Sequence, residues 1–143
     1  TGGASYNGTA RVSYTDNVNN RTFNGTMAAV VTANFGAAAK TVSVDLTAPN
    51  GSFQPLLPGP STAYNGAGRI DIDNLAISGT RYGNGVGTTG SVTGFAGSQN
   101  LNNAPTVAAA GVFGGPQAAE TGGVASIQDG ANGNAQIVFT ARK

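Results

Sequence analysis

Apolar and polar side chains alternate with period two along most of this chain. That spacing sends one face of a strand into a core and the other toward water. Tyr6, Ala10, Val12 and Tyr14 fall on one face, and Asn7, Thr9, Arg11 and Ser13 on the other. Asp16 to Asn20 then reads as a turn. Met27, Ala29, Val31, Ala33 and Phe35 share the next face, which Gly36 ends, and Val42, Val44 and Leu46 alternate with Ser43, Asp45 and Thr47. Ile70 and Ile72 point one way, whereas Leu75 and Ile77 lie one residue out of phase, which predicts a bulge near Asn74. Ile137, Phe139 and Ala141 share the last face. Pro49, Pro55, Pro58 and Pro60 exclude a strand over Ala48 to Ser61, because proline cannot donate to a ladder. The pattern predicts an all-β fold of about eight strands, closed as an antiparallel barrel in a single domain, residues 1–143. Many small residues on the inward faces predict a thin barrel filled by its own side chains. Closure would also remove unpaired sheet edges.

The stretch Ala108 to Ile127 departs from simple alternation. Val112 and Phe113 end a strand pattern at Gly114 and Gly115, Pro116 suits the first position of a helix, and Val124 to Gln128 resumes the extended pattern. Gln117 to Glu120 is therefore predicted as one short helical turn, with Gly122 as the left-handed residue that ends it. The segment Gly111-Val-Phe-Gly-Gly-Pro-Gln-Ala-Ala-Glu-Thr-Gly-Gly-Val-Ala-Ser-Ile127 resembles the closing signature of the transferrin-binding-protein-like β-barrels, surface lipoprotein barrels of Gram-negative bacteria. Phe113, Gly115, Pro116, Ala119, Glu120, Gly122 and Gly123 carry the match. The resemblance implies the same barrel, a cell-surface or secreted location, and capture of a host protein or nutrient carrier. Glu120 falls at the C-terminal end of the predicted turn, where the helix dipole disfavours a negative charge. It therefore reads as a turn-fixing carboxylate rather than a catalytic one, and the matching position in the family fits that reading. Backbone N–H groups of Gly122 and Gly123, or Arg142, are its available partners.

Composition narrows the function further. With 23 glycines and 9% charged residues, polarity comes from Asn, Thr, Ser and Gly rather than Lys and Glu. The net charge is +1 and the seven cations are scattered, so no basic stripe is present to neutralise phosphates, which argues against nucleic acid. No apolar run reaches the roughly 18 residues of a membrane-spanning helix. The sequence starts at Thr1 and reads as a mature or trimmed form. Cysteine is absent, which excludes disulfides, thiol chemistry and a lipid-bearing cysteine within these residues.

Histidine is absent too, which removes the usual general base and the commonest haem and zinc ligands. Haem is not expected; Met27 lies in a core-like alternation. No metal and no cofactor are expected. Asp71 and Asp73 share one strand face and read as a solvated pair rather than a catalytic dyad. Asp16 to Asn20 and Asp129 to Asn134 lack the full pattern of a calcium loop and read as turns. Gly85-Val-Gly-Thr-Thr-Gly90 matches a dinucleotide-binding fingerprint in letters. A strand pattern follows it instead of a helix, so it too reads as structural. No catalytic residue emerges, and the chain is read as a non-enzyme.

Binding is assigned to Phe53, Leu56 and Leu57 in the proline-rich segment Pro49 to Pro60, the apolar cluster that falls outside the strand alternation. The same segment also reads as a plug over one barrel mouth. The function expected is an extracellular or outer-membrane-surface binding barrel with a protein partner. The alternative is a structural subunit of an extracellular filament or layer, since few charges favour self-association.

Overall fold

The computed structural model describes residues 2–36 and 38–143. Ten strands follow one another: β1 (Gly3–Asp16), β2 (Arg21–Asn34), β3 (Thr41–Pro55), β4 (Thr62–Asn65), β5 (Arg69–Ser78), β6 (Arg81–Gly83), β7 (Thr89–Thr93), β8 (Thr106–Gly114), β9 (Glu120–Asp129) and β10 (Gly133–Arg142). Eight of them close a ring in the order β1-β2-β3-β5-β6-β8-β9-β10, every neighbour antiparallel, with β10 returning to β1. β4 adds to the distal half of β3, and β7 to the first half of β5, both outside the ring. The barrel expected from the alternation is the fold observed.

The predicted faces hold. Tyr6, Ala10, Val12, Tyr14, Met27, Val31, Val44, Leu46, Ile70, Ile72, Leu75, Ile137 and Phe139 are buried in one core. The phase shift in β5 is a bulge: Asn74 has φ of 60°, and the β3–β5 register slips between Val42 and Val44. Two aromatic groups close the ends of the core. Tyr14, Phe23, Phe53, Tyr64 and Phe95 pack at one end, and Tyr6, Phe35, Tyr82 and Phe113 at the other.

Two local expectations are corrected. No residue among those described is helical. Gln117 and Ala118 instead adopt φ of 54° and 51°, after Gly115 at 74°. Gly114 and Glu120 are opposite one another in the β8–β9 ladder, so the residues between them must reverse the chain as a hairpin loop. Hairpin closure overrides the local helix signal, Gly115 is the left-handed glycine, and Gly122 lies within β9. The second correction concerns the prolines. β3 runs through Pro49 to Pro55, bending at Ala48 (φ 52°), where it parts from β5 and its register with β2 shifts. A proline is tolerated at such an irregularity. Only Leu56 to Ser61 is loop.

A different segment closes a barrel mouth. The loop between β7 and β8 inserts Phe95 and Leu101 into the core. Asp16 accepts from Gln99 N–H at 3.0 Å, Tyr14 donates to Gln99 O, and Arg21 donates to Ala96 O at 2.8 Å and Ser98 Oγ at 2.6 Å. Asp129 accepts from Asn103 N–H at 3.1 Å. The plug reading of residues 49–60 is corrected: residues 49–55 continue β3, and the loop that packs over this end of the core runs through residues 94–103.

Candidate binding surface on the outer sheet

The binding residues assigned from sequence are separated by the fold. Phe53 is 5% exposed and faces inward against Phe23, its ladder partner, with Arg21 stacked 3.9 Å from its ring centre. Leu56 and Leu57 lie on the surface, 50% and 71% exposed. The prediction that all three form one contact cluster is therefore corrected, because the strand continues past Phe53 and turns its ring into the core.

The motif residues have structural positions. Phe113 is buried among Tyr6, Phe35 and Tyr82. Gly115 and Pro116 make the β8–β9 turn. Gly123 lies opposite Gly111, and a Cβ at 123 would come within 2.8 Å of the Phe139 ring. Glu120 is half exposed and sits 3.7 Å from Arg142, its cross-strand neighbour. Of its two candidate partners, Arg142 is the one the fold supplies.

The other sequence candidates are likewise absorbed into the scaffold. Gly85 to Thr88 lies in the β6–β7 connection, with Gly85 N–H on Thr88 Oγ1 at 2.8 Å, and Thr89 and Gly90 already belong to β7. Asp16 is fully buried and accepts from the N–H groups of Val18, Asn19 and Gln99 and from the Asn19 side chain. Burial pushes its carboxyl up, but these donors outweigh burial and hold it below the usual value. Asp45 and Asp71 face each other across β3 and β5, and Arg69 reaches both, at 2.7 Å and 2.9 Å. Burial, followed by the hydrogen bond shared with Asp45, raises Asp71 to about 6; that hydrogen bond and Arg69 lower Asp45. Asp73 stands exposed farther along the same face.

Among the described residues buried side chains pack together inside the barrel, and a concave space lies outside it. A trough of about 970 Å³ crosses the outer faces of β2, β1, β10, β9 and β8 and ends at Asn84. Two cross-strand rows form its sides. One runs Thr26, Arg11, Val138, Val124, Ala110, and the other Asn24, Ser13, Gln136, Ser126, Ala108. Val124 and Val138 are each 54% exposed, and Val112, half exposed, extends the apolar surface one row farther. Asn84 acts as a substitute strand at the rim. Its amide donates to Val107 O and accepts from Ala109 N–H, both at 2.7 Å, just beyond the last β6–β8 pair.

Sequence reasoning passed over this face, yet it carried signals. Val138 lies between Ile137 and Phe139, so the alternation that buries those two must turn Val138 outward. Val124 and Ile127 are three apart, so they cannot share a strand face.

Comparison with known proteins adds no relative: no family model, curated protein or solved structure matches this chain.

Proposed function

We propose that this protein is a non-enzymatic binding barrel of the bacterial surface or extracellular space, engaging a protein partner through the outer face of β8, β9, β10 and β1. One observation carries the reading. The interior is packed with the barrel's own side chains, while a concave, largely apolar trough lies open outside. Contiguous exposed apolar surface rimmed by polar groups is characteristic of interaction sites. Ser13, Asn24, Ser126 and Gln136 supply the rim. The resemblance of Phe113 to Gly123 to transferrin-binding-protein-like barrels supports the same class of partner, a host protein or nutrient carrier.

The test is surface binding against a panel of host extracellular carrier proteins. Three forms are compared: the parent, a Val124→Lys/Val138→Lys double variant, and a Leu56→Ser/Leu57→Ser double variant. Binding by the parent that is lost only in the valine variant supports the outer face. Loss only in the leucine variant returns the contact to the loop after β3. The second reading, a structural subunit, is favoured by the near-neutral charge, with seven cations against six acids. It replaces the first if no carrier binds and the native protein sediments as ordered polymers visible by electron microscopy.

A further inference from the structure

We propose that Asn65 is a spontaneous deamidation site, selected by the fold from six Asn-Gly pairs. The pairs begin at Asn7, Asn24, Asn50, Asn65, Asn84 and Asn132. In each, the glycine leaves its backbone nitrogen sterically open to attack the preceding amide carbon. That N–C bond forms, ammonia leaves, and a five-membered succinimide results. Water then opens one of its two C–N bonds, giving aspartate or isoaspartate. The step requires an unengaged glycine N–H and an asparagine side chain free to rotate onto it.

Five pairs are denied one or both conditions. Asn7-Gly8, Asn24-Gly25 and Asn50-Gly51 lie inside β1, β2 and β3, paired on both flanks. The Asn84 amide is held at both of its ends, and Gly85 N–H is held by Thr88. Asn132 is fixed by its N–H on Asp129 O and its carbonyl on Asn17 N–H, and Gly133 is buried in the ladder between Asp16 and Asp129. Asn65 differs in how little backbone pairing surrounds it. It is the last residue of β4, a strand with a neighbour on one side only, and it is exposed. Gly66 is exposed and already outside the ladder. Among the described residues no side-chain hydrogen bond holds Asn65, and no backbone bond outside the strands holds the Gly66 N–H.

The product matters to the molecule. A carboxylate at 65 takes the formal net charge from +1 to 0, since one negative charge is added. It places that charge on the end of an uncharged outer strand. Isoaspartate also lengthens the backbone at the last rung, Asn50 opposite Asn65.

The experiment ages the folded protein at mildly alkaline pH and follows each Asn-Gly peptide by mass spectrometry, with a parallel sample in denaturant. In denaturant the six sites should react at similar rates. In the folded protein Asn65 should react about tenfold or more faster than any other, since ladder-bound sites need local opening first. Asn65→Gln should remove the leading acidic species on ion exchange and leave the melting temperature unchanged. The proposal is overturned if another pair leads in the folded protein, or if folding slows Asn65 as much as it slows the other five.

Discussion

The ring of Tyr82 occupies the space where any side chain at Gly111 would project. The two are cross-strand partners in β6 and β8, and a Cβ built at 111 would overlap the Tyr82 ring and hydroxyl. The hydroxyl is buried against Thr121 Oγ1 at 2.8 Å, so the ring has no free direction to move. Gly111→Ala should therefore destabilise by about 1–3 kcal/mol, the usual cost of overpacking. Tyr82→Ala should cost about 3–5 kcal/mol, as for other large aromatic deletions. The double variant should cost less than the sum, because the missing ring removes the collision. Denaturant titration of the four proteins checks this, and strict additivity would show that the two residues do not compete for space.

Phe53 and the pair Leu56/Leu57 should separate cleanly. Phe53→Ser opens the aromatic end of the core and should lose about 3–5 kcal/mol. Leu56→Ser/Leu57→Ser touches only exposed side chains and should stay within about 0.5 kcal/mol of the parent. Thermal melts of both decide it; a large loss in the leucine variant would place those side chains in the core.

Asp16 should govern the acid limb of stability. Its folded pKa is depressed, so its contribution is present above the ordinary carboxylate value and is lost as pH falls through the folded value. Asp16→Asn should cost about 1.5–3 kcal/mol near neutrality, the range for hydrogen bonds to a charged group. It should also flatten the loss of stability between neutral pH and strong acid. A variant that melts with the parent's full acid dependence would assign that limb to other carboxyls.

Asp71 acts in the opposite sense. Its folded value of about 6 lies above the ordinary 3.8, so its contribution is complete below the ordinary value and disappears as pH rises through 6. Asp45 and Arg69 are the charged groups on it. β7 places Ser91 opposite Asp71, β2 places Val30 opposite Asp45, and Asp73 stands next along β5. The parent's melting temperature should fall from pH 5 to pH 8, and Asp71→Asn should reduce that slope. An equal slope in both proteins would mean that the two carboxyls do not share a proton.

The strands were legible because a two-residue period survives any three-dimensional arrangement that buries one face. Ile70, Ile72 and Leu75 even disclosed the bulge at Asn74. Phe53 was misplaced because four prolines read as a break, although Pro49 falls where the β3 ladder is already irregular. Gln117 to Glu120 looked helical because local propensity cannot see that Gly114 and Glu120 are ladder partners. The mouth-closing loop was illegible for a related reason: Asp16 and Gln99 are 83 residues apart, and nothing local marks them as partners. Val138, by contrast, was readable in principle, since its neighbours Ile137 and Phe139 fix its direction.

The pairing of β1 with β10 has a kinetic consequence. The ring closes only when Asn7 meets Arg142 and Asp16 meets Gly133, contacts between the two ends of the sequence. Until β10 is in place, β1 and β9 each keep an open edge that must stay apart from the edges of other chains. Bringing such distant segments together carries the loop-closure cost that puts β-barrels among the slower two-state folders, in about milliseconds to seconds. Removing β10 would therefore do more than shorten the barrel. It would leave a nine-strand sheet with two long unpaired edges, a shape prone to add strands from other chains.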